Sequence, residues 1–321
     1  MRYQKKIKCL TIIFNELMKV LMSGASGFIG SYFFDEFSQK NILVDVIARK
    51  FPSNILGTDV EVYKFDITKP INDVIDKDYD FFIHLAAAND VDSRESSEAI
   101  LKTTFGTRNC LEFCVKNNIK KFIYFSTLQV YGESNIISED SKISCVNDYA
   151  MTHYFAEEYV QMFRARGVDF IILRPSNVYG EFRSHTVNRW SLVPGCFCKS
   201  ALEKNQIQLL SSGKQKRNFI YLEDLFRLTF HLINNFDLCK NQVYNASSND
   251  VHSIISIAKL VKKMYEAKFN KSCELIVKSN EPDIENDYRI SNDLVKSIGY
   301  SYSCSSISSM ESTIDFLLSQ A

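Results

Sequence analysis

The chain has 321 residues with 38 basic and 38 acidic side chains, so its formal net charge is zero. This balance offers no basic surface for nucleic acid or an anionic membrane, and apolar runs such as Cys9–Phe14 and Phe81–Leu85 are far shorter than the ~20 residues that cross a bilayer. With 45% hydrophobic and 24% charged residues, the composition also excludes a disordered chain.

The first seventeen residues carry basic side chains and then a short apolar run, as a signal peptide does. However, no small-residue cleavage site follows the run, and Asn15 and Glu16 interrupt it. A second methionine, Met18, opens a segment that is typical of a buried strand. We therefore expect residues 1–17 to be a dispensable extension.

Strand and helix patterns alternate through the first half of the chain. Apolar runs predict strands at Lys19–Ser23, Val44–Ala48, Phe81–Leu85, Lys121–Phe125 and Val168–Leu173. Helical spacing predicts helices at Phe28–Gln39, Ser93–Asn117 and Asn147–Arg166, and Gly167 is expected to end the last of these. Short strands that alternate with helices predict a parallel sheet covered on both faces. The pattern loosens after Gly180, where a smaller second lobe is expected to begin.

A glycine-rich loop lies between the first strand and the first helix. Its sequence, Gly24-Ala25-Ser26-Gly27-Phe28-Ile29-Gly30, has the spacing G-x-x-G-x-x-G. Glycines here permit a tight turn, let backbone N–H groups approach a pyrophosphate, and allow the helix to pack closely on the strand. The positive end of the helix dipole adds to phosphate binding. The loop therefore predicts a dinucleotide site formed by Gly24, Gly27, Phe28, Ile29 and Gly30.

The nine cysteines are spread along the chain without a C-x-x-C pair. Their odd number and the apolar surroundings of Cys110 and Cys114 predict reduced thiols and a cytoplasmic location. Cys196 and Cys198 have no histidine near them, and the histidines show no ligand spacing, so no metal site is expected.

Five further segments follow the glycine loop in a fixed order. They are Phe65-Asp66-Ile67, His84-Leu85-Ala86-Ala87, Ser126–Gly132, Arg174–Gly180 and Arg217–Asp224. Together with the loop, they resemble the extended short-chain dehydrogenase/reductase family, which comprises nucleotide-sugar epimerases, dehydratases and reductases. The resemblance runs from Met18 to about residue 300.

The resemblance implies a Rossmann-like doubly wound parallel sheet with a smaller C-terminal substrate-binding lobe. Residues 18–180 would form the dinucleotide-binding domain, to which 218–248 return, and 181–217 and 249–321 would form the lobe. It further implies that the coenzyme contacts Asp66, Ile67, Leu85, Ala86 and Ala87.

The same resemblance implies a catalytic set. Tyr149 takes the place of the acid/base that exchanges a proton with the substrate hydroxyl while hydride moves, and Thr127 that of the hydroxyl that orients the substrate. The family's lysine, four residues after the tyrosine, is replaced by His153. A neutral histidine can still donate to the coenzyme ribose, but it does not activate the tyrosine by charge. This departure keeps open an alternative, a catalytically weak NAD(P)-binding sensor or scaffold.

A smaller departure lies on the preceding helix. Thr103 stands where the family usually has an asparagine, three residues before Gly106. We expect threonine to be tolerated there, because its hydroxyl can still form a local hydrogen bond.

The end of the second predicted strand bears on the choice of coenzyme. An acidic residue there normally holds the ribose hydroxyls of NAD, but this chain has Ala48 followed by Arg49 and Lys50. Because cations can pair with a 2′-phosphate, NADP(H) is favoured over NAD(H). Asp45 is a rival acid, although it lies inside the strand.

The residues after Thr127 bear on the substrate. Dehydratases of this family carry Asp-Glu there, whereas this chain has Leu128-Gln129, so dehydratase activity is not expected. That leaves a 4-keto reductase or 4-epimerase acting at carbon 4 of a nucleotide-sugar. By resemblance, Asn177 contacts the nucleotide-sugar and Arg217 its diphosphate, while Arg289 is a weaker candidate. A homodimer is compatible with the sequence.

Overall fold

The computed structural model describes residues 17–49, 60–89, 91, 93, 97–183, 190–278 and 288–320. The predicted extension, apart from Leu17, and Lys50 lie outside these residues. The strands are β1 (Lys19–Ser23), β2 (Leu43–Ile47), β3 (Val62–Tyr63), β4 (Phe81–His84), β5 (Lys121–Phe125), β6 (Ile136–Ile137), β7 (Asp169–Pro175), β8 (Asn177–Tyr179), β9 (Gln206–Leu209), β10 (Lys216–Tyr221), β11 (Gln242–Ala246), β12 (Val251–Ser253), β13 (Glu274–Val277) and β14 (Arg289–Ile290). The helices are α1 (Phe28–Gln39), α2 (Gly106–Lys116), α3 (Asp148–Phe163), α4 (Gly195–Lys204), α5 (Leu222–Asn234), α6 (Phe236–Cys239), α7 (Ile254–Phe269), α8 (Asp293–Ser297) and α9 (Ile307–Leu318).

Within the described residues, seven strands form one parallel sheet in the order β11-β7-β5-β4-β1-β2-β3. Helices cover both faces. On one face α1 packs against α5, with the rings of Phe33 and Phe226 5.2 Å apart. On the other face α2 and α3 cover Phe82 and Phe122, whose stacked rings are 5.3 Å apart. Burial on both faces explains the continuous apolar strands, and the predicted Rossmann-like doubly wound sheet is confirmed.

The long helix before β5 is less regular than predicted. From Glu98 onward it consists of a helical turn at Glu98–Ile100 and a wider π-type turn at Leu101–Phe105, which run directly into α2. Within the π-type turn, Thr103 accepts a hydrogen bond from the Ala88 N–H at 3.1 Å. The hydroxyl of Thr103 thus supplies the local hydrogen bond expected of it.

Helix α3 is fixed at both ends by its sequence. The Asn147 side chain accepts the Ala150 N–H at 2.8 Å and caps the first turn. A 3₁₀ turn at Arg164–Arg166 then leads to Gly167, whose φ of +85° is the left-handed value that glycine adopts readily. The predicted helix therefore has the expected start and stop.

A second apolar core lies in the C-terminal part of the chain. It is formed by residues of α4, α7 and α9 and by the parallel pair β9–β13, and includes Phe197, Ile207, Val261 and Ile314. A three-stranded sheet, β12-β10-β8, joins this part to the end of β7. No described helix is long and apolar enough to cross a membrane, and no cluster of three metal-ligating side chains occurs in the described ranges.

Candidate functional site

The glycine loop between β1 and α1 has a conformation that leaves no room for side chains at Gly24 and Gly30. Gly24 has φ of +77°, and a Cβ atom there would lie 2.7 Å from the Ala86 nitrogen. A Cβ atom on Gly30 would collide with the carbonyl of Gly24, which also accepts the Gly27 N–H at 2.9 Å. The loop therefore presses against the end of β4, and α1 packs directly on the loop.

The N-terminus of α1 has no side-chain cap among the described residues. Gly27 is the cap residue and offers no side chain, and the first turn contains no acidic residue. The first N–H groups of a helix need an acceptor and carry the positive end of the helix dipole. These groups therefore suit a bound phosphate, which supports the predicted dinucleotide site.

A cavity of about 490 Å³ opens at the carboxyl ends of β1, β4, β5 and β7, where ligands bind in open parallel sheets. Among the residues predicted from the sequence, the cavity is lined by Gly24, Gly27, Phe28, Ile29, Gly30, Leu85, Ala87, Thr127, Tyr149, His153 and Asn177. The predicted site residues outside this lining are Arg49, Asp66, Ile67, Ala86, Arg217 and Arg289. The glycine loop and the predicted catalytic set thus share one cavity.

Thr127 and Tyr149 approach the cavity from different elements. Thr127 follows β5, is 6% exposed, and accepts the Gln129 N–H at 3.2 Å at the start of the 3₁₀ turn Leu128–Tyr131. Tyr149 lies in the first turn of α3, with its ring edge-on to that of His153 and the ring centres 4.7 Å apart. The i, i+4 spacing places both rings on the face of α3 that meets the cavity.

His153 is almost completely buried and is neutral. It is 3% exposed, and burial lowers its pKa to about 3. Its Nδ1 lies 2.7 Å from the Tyr124 hydroxyl. Its Nε2 is also buried and has no hydrogen-bond partner within the described part of the chain. No positive charge therefore stands at position 153, where the resembled family has a lysine.

A buried ion pair joins α3 to β7, next to the end of β5. Arg174 on β7 donates two hydrogen bonds to the Glu157 carboxylate, at 3.0 and 2.5 Å, and Ser126 also donates to that carboxylate. Arg174 further donates to the Tyr131 hydroxyl at 2.6 Å. Since breaking a buried pair exposes an uncompensated charge, the pair fixes α3 relative to β5 and β7.

The predicted coenzyme end of the site has a cation, Arg49, at the tip of β2. Arg49 is exposed there. The rival acid Asp45 is 2% exposed and is bound by Lys77, by the Tyr79 hydroxyl at 2.6 Å and by the Glu61 N–H at 2.9 Å. The Asp45 carboxylate therefore forms its hydrogen bonds inside the protein and is not available to a ribose at the strand tip.

Asp66 lies near the same end and is held in its charged form. Burial acts to raise its pKa, but hydrogen bonds from Thr68, at 3.1 and 2.8 Å, together with the positive charge of Arg49, leave the pKa below its usual value. The charge of Arg49 thus reaches Asp66 and favours its ionised form.

The predicted substrate end of the site lies where β8 pairs with β10. Asn177 lines the cavity and donates to the Asn218 carbonyl at 2.8 Å. Arg217 is exposed on β10 and donates to the Lys216 carbonyl at 3.0 Å, while Arg289 is exposed on β14. Phe219, two residues after Arg217, reaches the lining. The structure therefore brings Asn177 to the cavity and leaves both arginines outside its wall.

Comparison with known proteins adds to this geometry. Residues 20–247 match the model of the NAD dependent epimerase/dehydratase family. The chain belongs to this family. A GDP-6-deoxy-D-talose 4-dehydrogenase from Aggregatibacter actinomycetemcomitans is 31% identical over 252 residues, which cover 76% of this chain and 79% of that protein. A dTDP-D-glucose 4,6-dehydratase from Dictyostelium discoideum is 26% identical over 274 residues, covering 76% of this chain and 62% of the relative.

Solved structures of family members have the same fold. The UDP-glucuronic acid 4-epimerase from Bacillus cereus, in complex with UDP-glucuronic acid and NAD, superposes with a TM-score of 0.77 at 23% identity. The match covers 95% of this chain and all of that one. The predicted resemblance to nucleotide-sugar epimerases and their relatives is therefore confirmed. Because a dehydratase is among the relatives, the exclusion of dehydratase activity stays a prediction.

Fourteen residues that line the cavity of this chain were not predicted from the sequence. They are Ser26, Ala88, Asn89, Phe125, Ser126, Gln129, Pro175, Ser176, Val178, Ser191, Leu192, Val193, Phe219 and Ile254. Ser126 and Ser176 adjoin predicted site residues, so their positions in the motifs were a usable signal. Ser191–Val193 and Ile254 reach the cavity from the C-terminal part, and no local pattern marks them.

Proposed function

We propose that this protein is an NAD(P)-dependent enzyme that acts at carbon 4 of a nucleotide-activated sugar, as a 4-keto reductase or a 4-epimerase. The observation that carries the proposal is the shared cavity, which joins an uncapped, glycine-lined helix N-terminus to Thr127 and Tyr149. Relatives named for a 4-dehydrogenase and a 4-epimerase support carbon 4 as the reacting position.

The residues present fit a nicotinamide dinucleotide, because the N–H groups of α1 need an anionic acceptor and the glycines leave room for it. When bound, the coenzyme supplies or accepts hydride. Tyr149 takes the proton from the carbon-4 hydroxyl, or returns it to a ketone, and Thr127 holds that oxygen by a hydrogen bond. Asn177 contacts the nucleotide-sugar, and Arg217, which lies outside the cavity lining, is the proposed partner of its diphosphate.

Leu128 and Gln129 separate this proposal from a dehydratase. Elimination of water needs an acid and a base beside the sugar. Gln129 lines the cavity, but neither its amide nor the Leu128 side chain exchanges protons. We therefore assign hydride chemistry without dehydration.

Turnover of NAD(P)H with a panel of nucleotide-sugars and 4-keto-sugars tests the proposal. We expect Tyr149→Phe to lower turnover at least about 100-fold, because general acid–base catalysis contributes that much, while NAD(P)H still binds. Tyr154→Phe, on the same helix but outside the cavity lining, is the matched control and should retain activity. Unchanged turnover in Tyr149→Phe would refute the role of Tyr149.

NADP(H) is the proposed coenzyme. Arg49 is exposed at the tip of β2, and Asp45 is occupied inside the protein. We expect NADPH to bind roughly 10-fold more tightly than NADH, since hydrogen bonds to charged groups contribute about 1.5–3 kcal/mol. Arg49→Gln should remove the difference mainly by weakening NADPH. Equal affinities in the wild type would overturn this preference.

His153 supports a second candidate, a catalytically weak sensor or scaffold that binds NAD(P). The neutral imidazole puts no cation beside the Tyr149 phenol. On this reading the wild type binds coenzyme without turnover, and His153→Lys gains turnover. Ready turnover by the wild type would exclude it.

For either function a reducing compartment such as the cytoplasm is proposed, since the eight described cysteines are free.

A further inference from the structure

A chain of buried polar side chains runs beneath the cavity, from β1 to His153. The Ser23 hydroxyl lies 2.6 Å from His84 Nδ1, and His84 Nε2 lies 3.0 Å from the Thr107 hydroxyl. Tyr124, on β5, contacts His153 Nδ1 at 2.7 Å. All five side chains are buried. Since buried polar atoms in such a chain need partners, its proton positions are strongly restricted.

The direction of each hydrogen bond can be assigned from one end. The Thr107 hydroxyl donates to the Thr103 carbonyl at 2.6 Å, so its proton is already used. His84 must then donate to Thr107 from Nε2, and its Nδ1 accepts from Ser23. The lengths agree with this, because hydroxyl donors give shorter bonds than ring N–H donors.

The same reasoning applies to Tyr124. At 2.7 Å its contact with His153 has the length of a bond donated by a hydroxyl. The Thr107 oxygen also lies near the Tyr124 hydroxyl, but an imidazole nitrogen is the more basic acceptor of the two. The phenol therefore donates to His153 Nδ1, which leaves the ring proton on Nε2.

We propose that Tyr124 is a positioning residue that holds His153 as the neutral tautomer protonated on Nε2, so that one N–H donor faces the coenzyme side of the cavity. The support is geometric: His153 lines the cavity, its Nδ1 is occupied by Tyr124, and its buried Nε2 has no partner in the described ranges. This inference rests on the proposed NAD(P)-dependent function. One fixed donor thus takes over the hydrogen-bonding part of the lysine's role and leaves out its charge.

The tautomer can be measured directly on the intact, coenzyme-free protein. With ¹⁵N-labelled histidine, the two ring nitrogens of a neutral imidazole give separate NMR signals for the N–H and the bare nitrogen. We expect His153 to show the Nε2–H form at pH 7 and Tyr124→Phe to lose it, giving a mixture or the Nδ1–H form. Tyr244→Phe is the matched control, because Tyr244 is also a buried strand tyrosine and its hydroxyl donates to the Cys239 carbonyl at 3.1 Å.

Coenzyme titration supplies the second measurement. We expect NADPH to shift the His153 Nε2–H signal, and Tyr124→Phe to weaken NADPH binding about 3- to 10-fold, the effect of one hydrogen bond. Tyr244→Phe should bind like the wild type. An Nδ1–H form or a charged His153 in the wild type, or an unchanged tautomer in Tyr124→Phe, would overturn the inference. A wild type that binds no coenzyme would instead refute the proposed function, while the coenzyme-free spectra would still decide the role of Tyr124.

Discussion

His84 and His153 are two buried histidines that remain neutral in the folded protein. Burial lowers the pKa of each to about 3, and for His84 the nearby His153 adds to the effect. In the unfolded chain both return to about 6.5. Below pH 6.5 the unfolded chain therefore binds protons that the folded protein does not. The free energy of unfolding is unaffected at neutral pH and decreases as the pH falls from 6.5 towards 3.

We predict that each histidine costs about 1.5 kcal/mol of unfolding free energy between pH 6.5 and 5. Urea unfolding at the two pH values measures the loss, and His84→Gln should reduce it by that amount. An equal pH dependence in His84→Gln and the wild type would contradict the assignment.

At the same scale, the sequence shows that position 153 has a histidine where the family has a lysine. It does not show which side chains surround His153. The partner of His153, Tyr124, lies on another element, 29 positions away in sequence. Glu157 was not singled out for the same reason, because its partner Arg174 is on β7. Such pairings are produced by the fold and leave no local spacing to detect.

At the scale of elements, the loop before α1 should not tolerate side chains. We predict that Gly30→Ala weakens NAD(P)H binding at least about 10-fold and destabilises the protein by roughly 1–3 kcal/mol, because the added methyl meets the Gly24 carbonyl. Gly167→Ala is the control, since its φ is +85° but no atom lies within 4 Å of the added Cβ. It should cost about 1–2 kcal/mol of backbone strain and leave coenzyme affinity unchanged. Equal affinity in both variants would argue against a phosphate site at this loop.

The strands and helices of the sheet were predictable because burial leaves a pattern in the sequence. Strands that are buried on both faces are continuous apolar runs, and helices that are buried on one face have apolar residues at helical spacing. β1, α1 and β5 have the predicted bounds, β4 ends one residue earlier than predicted, and β2 both begins and ends one residue earlier. The π-type turn at Leu101–Phe105 was not predictable, because Thr104 there donates to the distant Thr152 carbonyl at 2.9 Å. The C-terminal elements were also beyond local patterns, since their short strands pair with segments far away in sequence.

At the scale of the whole molecule, Asp224 ties the C-terminal segment to the sheet. Its fully buried carboxylate on α5 accepts the N–H groups of Ser303 and Cys304, both at 3.1 Å, and of Ser305 at 2.5 Å. We predict that Asp224→Asn destabilises the protein by about 2–3 kcal/mol, because the amide nitrogen cannot accept these bonds. Thermal unfolding measures the loss, and hydrogen exchange should show faster amides at 303–305. Glu223→Gln, in an exposed pair with Arg227, should change stability by less than about 1 kcal/mol; a loss as large as that of Asp224→Asn would remove the special role of Asp224.

The outer face of α3 and the helix before α2 together expose a group of large apolar side chains. These are Ile100, Leu101, Phe105, Met151, Phe155 and Met162, each between 38% and 54% exposed. The Thr104–Thr152 hydrogen bond joins the two helices, so we expect these residues to form one apolar surface. Continuous apolar surfaces of this kind mark interaction sites, and a second copy of the chain would cover it by placing the same surface against itself about a two-fold axis.

We therefore predict a homodimer through this surface. Phe155→Glu should raise the dimer dissociation constant at least about 100-fold, since the substitution enters a symmetric interface twice and central aromatic residues contribute about 2 kcal/mol or more each. Analytical ultracentrifugation over a range of concentrations measures the effect. Leu238→Glu is the control: Leu238 is 86% exposed, more than Phe155 at 49%, but it lies on α6, outside this surface. A monomeric wild type, or a Phe155→Glu variant that dimerises like the control, would refute a homodimer through this surface.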